Sequence, residues 1–169
     1  MTATTGGPRT EPARPADPAD RSAVPALQGV SHLAFSVPDL TAAVDFWTRV
    51  MGFEVIGEGA DFRLTLHREA RVAVGVGTHG GTVRGGFDHR RPGLDHAALA
   101  VSDLETLQAW ERWLDGCAVP YTPISASDGA HHLNLRAPGD IPVELVVLQP
   151  AFLAALSAHG IDGPAARTH

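Results

Sequence analysis

Three side chains of this 169-residue chain have the types and placement to hold a metal ion: His32, His96 and Glu144. His32 stands in V-S-H-L-A-F-S-V-P-D-L, residues 30–40, and His96 in G-L-D-H-A-A-L-A-V-S-D-L, residues 93–104. Glu144 stands in I-P-V-E-L-V-V-L, residues 141–148. Two neutral imidazoles and one carboxylate around a divalent first-row ion, with other positions open, make the facial triad of non-haem iron(II) oxygenases. Zinc, manganese, cobalt and nickel accept the same donors. The setting of Glu144 adds weight. In an extended strand Val143, Leu145 and Val147 share one face, so Glu144 turns the other way, beside Val146 and Leu148. A carboxylate buried among apolar neighbours needs a partner. A cation is one partner, and an arginine such as Arg63 or Arg136 is another.

The surrounding pattern predicts the elements that carry these residues. From Val30 to Val37, Leu33, Phe35 and Val37 form a bulky face, and His32, Ala34 and Ser36 a small one fit to line a cavity. Pro38 ends the strand, and Asp39 is a good N-cap for a helix running to about Met51. That helix buries Leu40, Ala43, Val44, Trp47 and Val50, with Gly52 as its left-handed stop. Strands are expected at 53–56, 62–67 and 71–77. A Gly- and Arg-rich linker covers 79–92, with His79 as a turn residue. The second half repeats the plan: a strand at 94–101, a capping box S-x-x-E from Ser102 to Glu105, and a helix stopping at Gly116. Strands follow at 119–122, 131–136 and 141–148, the last two joined by the A-P-G-D turn. Trp47, Trp110 and Trp113 read as packing residues, and Cys117 as a buried structural thiol.

The two halves superpose in register. An offset of 64 positions carries His32 onto His96, Ala34 onto Ala98, Asp39 onto Asp103, Leu40 onto Leu104 and Gly52 onto Gly116. Ligand candidate, cavity residue, cap, first buried helix position and helix stop all coincide, which is internal duplication. The expected boundaries are a disordered leader at 1–28, a first β-α-β-β-β module at 29–78, the linker at 79–92, a second module at 93–150, and a short helix and tail at 151–169. Composition excludes other classes. A net charge of −6 and a pI near 5.8 argue against nucleic-acid binding. A single cysteine rules out an internal disulfide framework and a cysteine-type zinc site. No apolar run reaches the roughly 18 residues of a membrane span, and the N-terminus lacks the apolar core of a secretory signal. A soluble cytoplasmic protein acting on a small molecule is expected.

The duplicated plan, the motifs H-L-A-F-S-V-P-D-L and H-A-A-L-A-V-S-D-L, and the ending N-L-R-A-P-G-D-I-P-V-E-L resemble the vicinal oxygen chelate superfamily. That group includes glyoxalase I, methylmalonyl-CoA epimerase, fosfomycin-resistance enzymes, bleomycin-binding proteins and extradiol dioxygenases. The resemblance spans about 30–149. It implies an α+β fold of two βαβββ modules, their strands curled into a cup-shaped mixed sheet around a metal cavity with the helices outside. It also implies that His32, His96 and Glu144 are the metal ligands. Glyoxalase- and epimerase-like members use a fourth ligand, Glu or Gln, on the last strand of the first module. Here R-V-A-V-G-V-G puts Ala73 or Gly75 there. The missing ligand resembles the dioxygenases, in which iron(II) takes a vicinal diol and dioxygen while a nearby group handles protons. His131, His132 or Tyr121 are the candidates for that role. A glyoxalase-type lyase or isomerase and a metal-free antibiotic-sequestering protein are the alternatives. Closure of both modules within one chain and their exchange in a homodimer are equally open.

Overall fold

The computed structural model describes Leu27 and residues 29–160. The chain divides into two units, Met1–Val30 and Ser31–His169, and every described element lies in the second. In the first, Leu27 and Val30 are exposed. The expected leader, Leu27 apart, and the expected tail after Gly160 lie outside the described residues.

Among the described residues eight strands form two four-stranded mixed sheets, one per module, and no strand pairing joins them. The first sheet has the order β1-β4-β3-β2, from β1 (Leu33–Ser36), β2 (Glu54–Glu58), β3 (Phe62–His67) and β4 (Val72–Gly77). The second has the order β5-β8-β7-β6, from β5 (Ala97–Ala100), β6 (Tyr121–Ala126), β7 (Ala130–Ala137) and β8 (Ile141–Leu148). In each sheet the opening strand runs parallel to the closing one, and the other pairings are antiparallel. Helix α1 (Leu40–Asp45) continues into a π-helical turn (Phe46–Val50), where Met51 N donates to Phe46 O at 3.0 Å. Helices α2 (Leu104–Gly116) and α3 (Pro150–Ala158) complete the fold, which is the expected α+β class.

Alternation divides each sheet as the pattern requires. Phe35 and Val37 are buried while His32, Ala34 and Ser36 are exposed. In the second module Ala97 is buried, and Ala98 and Ala100 are exposed. The buried faces meet the helices. Trp47 stacks on Phe35 at 5.9 Å between centroids and meets Phe53 edge-on at 5.0 Å. Leu107 and Leu114 of α2 join Leu133, Leu135, Val143 and Leu145 in the same core. Trp113 differs from the packing expected of it. It is half-exposed, and its indole N–H donates to Val50 O at 2.9 Å, tying α2 to the end of the first module's helix.

Two terminal details depart from expectation. Asp103, not Ser102, caps α2, its carboxylate accepting from Thr106 N at 2.7 Å. Ser102 instead donates to Asp103 Oδ2 at 2.9 Å, so the capping-box serine orients the true cap. Gly52 is left-handed as expected (φ 75°), but Gly116 remains helical and Ala118 takes the left-handed turn (φ 54°). Cys117 is only partly buried.

Candidate metal centre

His96 and Glu144 meet because β5 and β8 are neighbours. Ala98 lies opposite Glu144 in the parallel register, and His96, two residues before Ala98, shares its face. His96 Nε2 stands 3.6 Å from Glu144 Oε2. That is beyond hydrogen-bond range but within the span of two ligand atoms each about 2.1 Å from one ion. The other ring nitrogen, Nδ1, lies 2.7 Å from Asp95 Oδ2. An ionised carboxylate only accepts, so Nδ1 carries the proton and Nε2 presents its lone pair toward Glu144. A carboxylate behind the imidazole is the arrangement that orients a metal-ligating histidine. The donor chemistry therefore fits a divalent ion as half a site.

The other oxygen of Glu144 is committed to His132, whose Nδ1 lies 2.7 Å from Oε1. His132 Nε2 in turn meets Ser127 Oγ at 2.8 Å. By the same reasoning Nδ1–H donates to the carboxylate and Nε2 accepts from the serine hydroxyl. The result is an unbroken run Ser127–His132–Glu144, with His96 and Asp95 facing it. The Glu144 side chain is 14% exposed and that of His132 25%, so the cluster is largely shielded, in the middle of the sheet on the face that carries Ala98.

His32 does not join this pair. It precedes β1, in the other sheet, and its Nδ1 meets Ser31 Oγ at 3.0 Å. Among the described residues no three His, Cys, Asp or Glu side chains group so as to hold a metal ion. The expected convergence of His32, His96 and Glu144 within one chain is thus not found, because the repeat places equivalent residues in separate sheets. His131 and Tyr121 are also elsewhere. His131 pairs with Val147 and Tyr121 with Leu135, on the helix-side face opposite to Glu144. Tyr121 donates its hydroxyl to Asp115 Oδ1 at 3.1 Å; desolvation first and that carboxylate second raise its pKa above the ordinary value. His79 meets Ser36 Oγ at 2.8 Å. Neither Arg63 nor Arg136 is paired with Glu144: each donates to backbone carbonyls of its own hairpin.

Registers also resolve the missing fourth ligand. Ala34 lies opposite Gly75 just as Ala98 lies opposite Glu144, so Gly75 is the counterpart of Glu144. A Cβ on Gly75 would lie 2.8 Å from Phe62 Cε2. The ring edge of Phe62 thus covers the place where a ligand side chain would begin. Ser127 and Asp95 were not singled out from sequence. Asp95 was findable as the immediate neighbour of His96, whereas Ser127 reaches His132 only through the bulged β6–β7 pairing.

A model of the Glyoxalase/Bleomycin resistance protein/Dioxygenase superfamily matches residues 29–139, so β8 and Glu144 lie beyond the matched segment. Solved structures share the fold. A glyoxylase/bleomycin resistance protein/dioxygenase domain from Frankia sp. EAN1pec is 25% identical, with a TM-score of 0.63 over 74% of this chain and 95% of that one. Lactoylglutathione lyase from Agrobacterium tumefaciens is 16% identical, with a TM-score of 0.58 over 72% and 94%. The fosfomycin resistance protein FosX from Mesorhizobium loti is 13% identical, with a TM-score of 0.56 over 75% and 97%. No curated protein matches by sequence. With the family model matching more than half of its length, this chain belongs to the Glyoxalase/Bleomycin resistance protein/Dioxygenase superfamily.

Proposed function

We propose that the chain is a metal-dependent enzyme of this superfamily, of extradiol-dioxygenase type, acting on a small vicinal diol. The observation that carries this reading is the facing pair His96 Nε2 and Glu144 Oε2, with Asp95 behind the imidazole. His96 and Glu144 would hold the ion, with His32 of a second copy as the third ligand, which makes the working unit a homodimer. Iron(II) bound there supplies open positions for chelating substrate oxygens and for dioxygen. Phe62 over Gly75 supports three ligands rather than the four of the glyoxalase type. His132 handles the proton. Its Nε2, now accepting from Ser127, takes the proton of a substrate hydroxyl that displaces the serine, while Glu144 holds the opposite N–H and stabilises the imidazolium formed.

Metal uptake by the purified chain, followed by oxygen consumption with a catechol panel, tests this. One ion per site is expected, lost in Glu144→Gln and in His96→Ala. Mixing refolded His32→Ala with Glu144→Gln chains should restore uptake, since a mixed dimer rebuilds one complete site. A wild-type chain that takes up no divalent ion sinks the reading in favour of ligand sequestration. Uptake without oxygen consumption would point to a lyase or isomerase.

A further inference from the structure

The segment between β4 and β5 walls a cavity of about 340 Å³ together with β1 and the start of β8, and His96 is part of that wall. This segment is seated. Phe87 N donates to Gly139 O at 2.8 Å, on the β7–β8 turn. Gly86 passes the same turn so closely that a Cβ there would lie 3.1 Å from Asp140 Cβ and 3.3 Å from Gly139 O. The cavity's apolar lining includes Val83, Phe87, Leu94 and Ile141. Its charge comes from Arg84, Arg91 and Asp88.

These charges do not cancel. Asp88 is held by Arg90 through Nε at 2.9 Å and Nη2 at 3.2 Å, with Arg91 Nε at 3.6 Å. The bonds from Arg90 first, and the charge of Arg91 after them, keep its carboxyl below the usual range, so it stays ionised and engaged at neutral pH. Arg90 thereby answers the one carboxylate of the wall. The Arg84 guanidinium donates only to the carbonyls of Gly81 and Val83, and no carboxylate meets it among the described residues. The cavity thus has an apolar body, a surplus positive rim and a histidine in its wall.

We infer that this cavity takes a small arylcarboxylate, its carboxylate on Arg84 with support from Arg91, its ring among Phe87, Val83 and Ile141. Guanidinium–carboxylate bonding and ring burial supply separate parts of the affinity. Resting on the function proposed above, the inference narrows the substrate to a carboxylated vicinal diol whose ring hydroxyls lie at the His96 end. Arg84 is then a specificity-determining residue.

Binding to the full-length, metal-free chain separates this inference from the metal reading. The probes are benzoate, which carries no diol, and neutral benzamide, followed by calorimetric or NMR titration. Benzoate should bind about tenfold more tightly than benzamide, and Arg84→Gln should remove that difference while leaving benzamide unchanged. Equal affinity for the two probes, no binding of either, or an unchanged preference in Arg84→Gln overturns the inference. A wild-type chain that prefers benzoate yet takes up no metal would sustain the anion site and sink only the dioxygenase assignment.

Discussion

Glu144 has one oxygen bound to His132 and the other facing an imidazole lone pair, so its two atoms serve different purposes. Glu144→Gln keeps the shape, but its amide has a single oxygen and donates from the other position. It cannot serve both His132 and the ion, and its neutral oxygen is the weaker ligand, so metal uptake is what is lost. For His132 the expectation is the reverse split. His132→Gln should slow turnover by about a hundredfold or more, the usual size of a general base, while metal content stays at the wild-type level. Comparing metal analysis with turnover in that variant checks it. At Gly75 the collision is with a ring edge at 2.8 Å, and Phe62 is 39% exposed. The ring can swing outward, so Gly75→Ala should cost about 1 kcal/mol, the low end of overpacking. Most of that cost should vanish on a Phe62→Ala background, and denaturant melts of the four-member cycle would show the coupling.

At the scale of elements, α1 and α2 both start on an aspartate in the same position of the repeat. Asp39 Oδ1 accepts from Ala42 N at 3.0 Å, and Asp103 Oδ1 accepts from Thr106 N at 2.7 Å. Asp39→Ala should therefore lower stability by about 1 kcal/mol in urea unfolding. Asp103 gives a pH signature. Its pKa is lowered first by the Thr106 amide, then by the Thr106 and Ser102 hydroxyls. A carboxylate with a lowered folded pKa stabilises above its unfolded value, near 3.8, and that stability drains away as pH falls through the folded value. Melting temperatures of wild type and Asp103→Asn should diverge at neutral pH and approach each other in acid below that range. A gap that stays constant with pH would show that the charge is not the cause. The strands carry the site in a similarly local way: parallel pairing of β5 with β8 is what sets His96 two residues from the partner of Glu144.

For the whole molecule, the question is how two sheets with no shared strand pairing form one working site. The core runs through both modules, and the Trp113 indole adds a hydrogen bond from α2 to Val50 O. Trp113→Phe keeps the ring and removes that bond, so it should cost about 1 kcal/mol in thermal or denaturant melts. The open faces are another matter. Ala34, Ser36, Ala98 and Ala100 are small and exposed, and no described residue completes the donor set of His96 and Glu144. The second copy proposed to supply His32 would answer both facts. The same arrangement requires that metal uptake fall on dilution below the dimer's dissociation constant, which sedimentation with metal analysis can follow. No described helix is long and apolar enough to cross a membrane.

Sequence by itself determined the strands, the two ends of the first helix and the repeat, because period-two alternation, an aspartate before an apolar run and a glycine after it are local signals. The 64-residue offset places β1 on β5 and the start of α1 on the start of α2, residue for residue. It also determined that Glu144 opposes the apolar face of its strand. Whether His32 reaches Glu144 was decided by the separation of the two sheets, which is a property of packing between modules and leaves no trace in either module's pattern. The choice among His131, His132 and Tyr121 followed from register, since one step along β7 reverses the face and the bulge in β6 shifts its partners. The choice of Gly75 over Ala73 as the counterpart of Glu144 came from the strand pairing, because loops of unequal length between the helix and the last strand break the offset. Local chemistry is written along the chain; which groups share a volume depends on contacts between distant segments, and only the folded molecule sets those.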